Sequence, residues 1–212
     1  MSIHVLIVAT RYNKAAQFTY RWAEKLRDDL LSRSAVETCL LFDGESLCHS
    51  GTALSDAIER VDFVVFYGHG EADHWISIPA GSAANSIALI DANTVSVFNG
   101  KKVYAACCKS LSQLGAAFAG AYKNNNPAPD FVGYSTDFNF HIPNEDEFRR
   151  IVHESVRDFI LGTRTAATIV ADQKAEWTAL ETKFRTGAFQ TYPDALFAAN
   201  CAKANAGSIA KA

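Results

Sequence analysis

The stretch VDFVVFYGHGEADHW, residues 61–75, runs from an apolar segment straight into Gly-His-Gly. A short, near-continuous run of β-branched and aromatic residues is the pattern of a strand buried on both faces, as in a parallel sheet. Such a strand usually ends in turn chemistry. This one ends by presenting the imidazole of His69 between Gly68 and Gly70, which have no side chains to crowd it. Further along, KKVYAACCKS (residues 101–110) is a second apolar run ending in reactive groups, Cys107 and Cys108.

The pattern around these runs is an alternation. IHVLIVAT (3–10) predicts a first strand, and Phe18, Trp22, Leu26 and Leu30 recur at helical spacing between Asn13 and Leu31. AVETCLLFDG (35–44) predicts a second strand, and SGTALSDAIER (50–60) a short helix with Ser50 or Thr52 as its cap. After the strand at 61–67, residues 71–100 read as a polar insertion with a small hairpin. A strand (101–107), a small-residue helix (110–123), a turn (124–130) and the strand DFVGYST (130–136) follow. From Asn144 the pattern is helical three times over, and the last dozen residues, small and polar, are expected to fray. The stripe Phe148, Ile151, Val152, Val156, Phe159 and Ile160 marks a core-facing helix.

Alternating strands and helices imply a parallel-type sheet sandwiched by helices, with flavodoxin-like layering. The expected division is an α/β core over residues 1–143 and a helical C-terminal extension, 144–212, packed on it. Ligands of such sheets bind beyond the carboxyl ends of the strands, where both Gly-His-Gly and the cysteine pair fall.

Bulk properties narrow the class. The chain has 212 residues, 49% of them hydrophobic, and a formal net charge of -3, which offers no surface for nucleic acid or an anionic membrane. No apolar run approaches the roughly 20 residues needed to cross a bilayer, and the N-terminal run reads as a strand rather than a signal peptide. Five cysteines at irregular spacing fit reduced thiols and a cytoplasmic protein. Cys39 with Cys48-His49 has no zinc-ligand spacing, so no metal is expected. ATRYNKAA (9–16) occupies the place of a phosphate loop but has no glycine to close on a phosphate, so no cofactor is expected either.

The residues at the two strand ends suit acyl transfer. A cysteine peptidase needs a thiolate, an imidazole to take and return a proton, and donors for the oxyanion. His69 supplies the base, and Cys107, expected to lead into a helix N-terminus that favours thiolate, supplies the nucleophile. The amides of Gly70 and Cys107 are candidate oxyanion donors. Cys108 is the alternative nucleophile: in a strand, Tyr104, Ala106 and Cys108 face one way and Ala105 and Cys107 the other, so one thiol alone points at the histidine. Arg11 lies on the same sheet edge as a candidate substrate contact. His74 and Trp75 read as a solvent-facing loop.

A strand ending in His-Gly, followed by a strand ending in Ala-Cys, resembles the caspase-like cysteine peptidases of the caspase–gingipain fold. VYAACCKSLSQLG (103–115) and DFVGYSTDF (130–138) are similar to the bacterial CHAT-type branch. The resemblance covers residues 3–138. It implies a caspase-like layered fold, His69 as general base, Cys107 as nucleophile and Gly70 at the oxyanion hole. It also implies a protein or peptide substrate, an activating partner or sensor chain, and a role in bacterial immunity or cell death. The chain departs from the caspase signature in having Ala105 in place of Gln, and a His-to-Cys separation of 38 residues rather than about 50. Asp137 is the nearest acidic candidate for a substrate pocket. The alternative reading is a non-catalytic flavodoxin-like or Rossmann-like binding or regulatory module using the same sheet edge.

Overall fold

A computed structural model describes residues 2–44, 53–78, 87–125 and 129–212. The proposed helix caps Ser50 and Thr52, the pair Cys48-His49 and part of the turn at 124–130 lie outside these residues. The core is a six-stranded sheet in the order β2-β1-β3-β7-β8-β9. Its strands are β1 (Ile3–Ala9), β2 (Val36–Asp43), β3 (Phe63–Tyr67), β7 (Lys102–Ala106), β8 (Phe131–Tyr134) and β9 (Ile209–Lys211). All adjacent pairs are parallel except β8–β9. The mainly parallel, helix-flanked sheet that the alternating pattern implies is the observed architecture.

The apolar runs are explained by two covered faces. Val5, Ile7 and Ala9 of β1 pack with Phe63, Val65 and Tyr67 of β3 and with Tyr104 and Ala106 of β7 on one face. That face is covered by α1 (Lys14–Leu31), α4 (Glu145–Ile160), α5 (Ala166–Arg185) and α6 (Ala195–Ser208). Leu6, Val8, Val64, Phe66, Val103 and Ala105 point to the other face, under α2 (Ala53–Glu59) and α3 (Gln113–Tyr122). From Val5 to Ala9, Phe63 to Tyr67 and Val103 to Ala106 the central strands alternate between two apolar cores, and every one of these positions is buried.

The helices form where local chemistry allows. Asn13 caps α1, its Oδ1 accepting from the Ala16 amide at 2.8 Å. Glu145, Asp146 and Glu147 open α4 and Arg157 lies in its last turn, complementing the helix dipole. The expected stripe from Phe148 to Ile160 is buried. A buried network, in which Gln173 Nε2 donates to Tyr104 Oη at 2.7 Å and Tyr134 Oη donates to Gln173 Oε1 at 3.1 Å, ties β7 and β8 to α5.

Two expectations change. The hairpin expected in 71–100 is present, β5 (His74–Ile78) pairing antiparallel with β6 (Ile87–Asp91), and β4 (His69–Gly70), the His-Gly pair itself, extends it into a three-stranded sheet. Trp75 is therefore not on a solvent-facing loop. It is 1% exposed and stacked on Phe66 with ring centroids 4.5 Å apart. The C-terminus does not fray: Ile209 is fully buried and β9 pairs with Val132–Tyr134 as the outer strand of the main sheet. A three-residue strand with one large apolar residue carries almost no period-2 signal, which is why composition pointed the other way.

Candidate active site

Strands β3 and β7 are neighbours, and their register pairs Phe63 with Lys102 and Tyr67 with Ala106. Paired residues in adjacent strands share a face. Tyr67 and Ala106 both face the core beneath α1 and α4. Continuing two residues along each chain brings His69 and Cys108 to that side, with Gly68 and Cys107 toward the other. Side-chain packing agrees. Cys107 is fully buried in the core under α3, whereas Cys108 is half-buried against the α1 side.

His69 and Cys108 line one cavity of about 200 Å³ beyond the carboxyl ends of the strands. Ala15, Ala16 and Thr19 of α1 form one wall, and Phe138, Phe140 and Ile142 after β8 form another. The cavity sits where β1 sends the chain to β2 on one side and lies beside β3 on the other, the switch point at which such sheets bind ligands. Cys107 does not line it.

The glycines flanking His69 are demanded by close approach. A Cβ on Gly70 would stand 2.5 Å from the Cys108 carbonyl oxygen and 2.8 Å from Cys107 Sγ. A Cβ on Gly68 would stand 2.6 Å from Thr10 Oγ1 and 3.0 Å from the Phe66 ring. The Gly-His-Gly stretch is thus the point at which the end of β3 is pressed against the ends of both β1 and β7.

The turn after Cys108 is tightly held. Lys109 adopts a left-handed backbone, φ 53°, which is uncommon for a non-glycine residue. Its amide donates to the Thr136 carbonyl at 2.8 Å, and the Tyr134 amide donates to Ser110 Oγ at 2.9 Å. These bonds fasten the turn to the end of β8. Helix α3 begins only at Gln113, so its N-terminus does not abut either thiol. The expected stabilisation of thiolate by that helix is absent, and burial pushes both thiols up, Cys107 well above its ordinary value. For Cys108 a backbone hydrogen bond at Phe138 pulls the other way.

Burial pushes the His69 imidazole down, with Glu71 pulling weakly the other way. Its Nε2 lies 3.1 Å from Asn13 Nδ2. Since Oδ1 of that amide is occupied as the helix cap, the amide nitrogen faces the imidazole and donates to it. His69 is therefore neutral, with its lone pair on Nε2 and its proton on Nδ1. The resting pair is thiol and imidazole.

The remaining sequence candidates lie outside the cavity lining. Arg11 pairs with Asp43 at 2.8 Å and stacks over Tyr20. Asp137 is exposed and sits 3.8 Å from Lys109 Nζ, which also reaches Glu71 at 3.5 Å. His74 is held by Asp73, Nδ1 to Oδ1 2.7 Å. Gly70 lies against Cys107 and the Cys108 carbonyl. No group of metal-ligating side chains is found among the described residues, and no helix there is long and apolar enough to cross a membrane. Asn13 was missed as a site residue. Its signal was present, since a capping Asn after β1 must lie at the same sheet edge as His69.

A larger cavity, about 420 Å³, lies between α4 and α5 and is lined by ion-paired residues such as Arg164 and Asp172, 2.7 Å apart. A scan against protein-family models finds no match to the chain, and a search of curated proteins finds none.

Proposed function

We propose that the chain is a caspase-like cysteine endopeptidase in which Cys108, rather than Cys107, is the nucleophile and His69 the general base and acid. The reading rests on one observation: His69 and Cys108 line the same cavity at the carboxyl ends of adjacent parallel strands, while Cys107 is sealed in the opposite core. In the reaction, His69 Nε2 leaves Asn13 and takes the Cys108 proton. The sulfur attacks the peptide carbonyl carbon, forming the S–C bond and placing charge on oxygen. The Gly70 amide, beside the Cys108 backbone, is the proposed donor to that oxygen. His69 then gives its proton to the leaving amine as the C–N bond breaks, and water hydrolyses the thioester. The partner-protein substrate and the role in bacterial immunity or cell death follow from the resemblance alone.

The second reading, a non-catalytic binding module, is favoured by the neutral state of both groups, since neither burial shift activates the thiol. Cleavage of a mixed peptide library by wild type, Cys107→Ala, Cys108→Ala and His69→Ala separates the two. Cleavage kept in Cys107→Ala and lost in the other two variants supports the peptidase. Cleavage lost only in Cys107→Ala, or untouched in all three, overturns the assignment.

A further inference from the structure

We propose that the cavity beside Cys108 is the specificity pocket, and that it selects an uncharged, apolar side chain of leucine, methionine or phenylalanine size on the acyl side of the scissile bond. The proposal rests on the peptidase reading and adds the substrate class. The space of about 200 Å³ suits one large side chain. Its walls are Phe138, Phe140, Ile142, Ala15 and Ala16, and no charged side chain among the described residues lines it.

The polar groups at its surface are already engaged. Thr19 Oγ1 donates to the Ala16 carbonyl at 3.0 Å. Asn139 is bound three ways: its amide donates to Asn205 Oδ1 at 2.9 Å, its carbonyl accepts from Asn205 Nδ2 at 2.7 Å, and its own Nδ2 donates to the Asp137 carbonyl at 2.9 Å. The nearby charges are paired outside the cavity lining, Lys109 with Glu71 and Asp137 and Arg11 with Asp43. A carboxylate, ammonium or guanidinium entering would be desolvated with no opposite charge to meet it, whereas an aliphatic or aromatic side chain loses nothing and buries apolar surface. Asp137, the nearest acidic candidate, is held by Lys109 outside the cavity lining.

The test uses a matched series of peptidyl acyloxymethyl ketones differing only in that side chain: leucine, phenylalanine, aspartate or lysine. The thiol sulfur bonds to the methylene carbon as the carboxylate leaves, and the thiol proton passes to His69. Rates are followed on the full chain, with the labelled cysteine located by mass spectrometry and iodoacetamide as a side-chain-free control. Leucine and phenylalanine probes are expected to label Cys108 at least about tenfold faster than aspartate and lysine probes. Ala15→Glu, which sets a carboxylate at the wall in the first turn of α1 where the helix dipole favours it, is expected to shift the ratio toward lysine. Equal rates, a faster charged probe, labelling by none of the probes, or an unchanged ratio in Ala15→Glu overturns the pocket. If iodoacetamide labelling of Cys108 is itself indifferent to His69→Ala, the peptidase reading fails; if that dependence holds, only the specificity fails.

Discussion

Asn13 Nδ2 donates to His69 Nε2 across 3.1 Å, while Oδ1 of the same amide caps α1 through the Ala16 amide at 2.8 Å. One side chain thus starts a helix and occupies the lone pair that the proposed chemistry requires. Asn13→Ser keeps a capping oxygen and removes the donor. A net hydrogen bond is worth about 0.5–1.5 kcal/mol, so freeing Nε2 should speed iodoacetamide labelling of Cys108 by roughly two- to tenfold. Slower labelling in Asn13→Ser would show that the contact orients the imidazole rather than masking it.

The depressed pKa of His69 has a defined sign. The imidazole stays neutral below its ordinary 6.5, so the acid limb of His69-dependent labelling should lie below that value. In the same window the unfolded chain binds more protons than the folded one, so stability should fall as pH drops through 6.5. His153, lowered by burial against the pull of Asp29, adds in the same direction. A rate–pH profile and thermal unfolding between pH 7 and 5 check both, and an acid limb above 6.5 contradicts the desolvated imidazole.

Gly70→Ala and Gly120→Ala should move stability in opposite directions. At Gly70 the new methyl meets backbone and Sγ, and overpacking of this kind costs about 1–3 kcal/mol. Labelling of Cys108 should fall with it. At Gly120, on the exposed side of α3 with nothing within 4 Å of a Cβ, alanine should add about 0.5–1 kcal/mol. Chemical denaturation of the two variants reads the contrast.

Ile209→Ala should destabilise by about 2–5 kcal/mol, the usual cost of emptying a buried isoleucine site, because Ile209 anchors β9 in the main sheet. A change below 0.5 kcal/mol, the range typical of surface sites, would return the C-terminus to the frayed state its composition suggested.

What the sequence made legible was what periodicity encodes. The two-sided apolar runs gave the strands, and the stripe from Phe148 to Ile160 gave a buried helix. The strand alternation also showed that only one of Cys107 and Cys108 could face His69. Choosing between them required the pairing of Phe63 with Lys102, a long-range register that no local pattern carries. The motif resemblance pointed to Cys107 and the register points to Cys108. The short strands β4 and β9 were hidden for a related reason: two or three residues with one large apolar side chain have no period to read. The walls of the cavity, Phe138 and Phe140, alternate like a strand but belong to an irregular segment placed by Asn205, whose role is visible only once α6 is folded against it.

The most direct measurement is the site and rate of iodoacetamide labelling at neutral pH in wild type and His69→Ala, located by mass spectrometry. The expected result is modification of Cys108 well ahead of the buried Cys107, slowed at least about tenfold in His69→Ala, in line with loss of a general base. Preferential labelling of Cys107, or labelling of Cys108 at the same rate with and without His69, would contradict a Cys108–His69 pair.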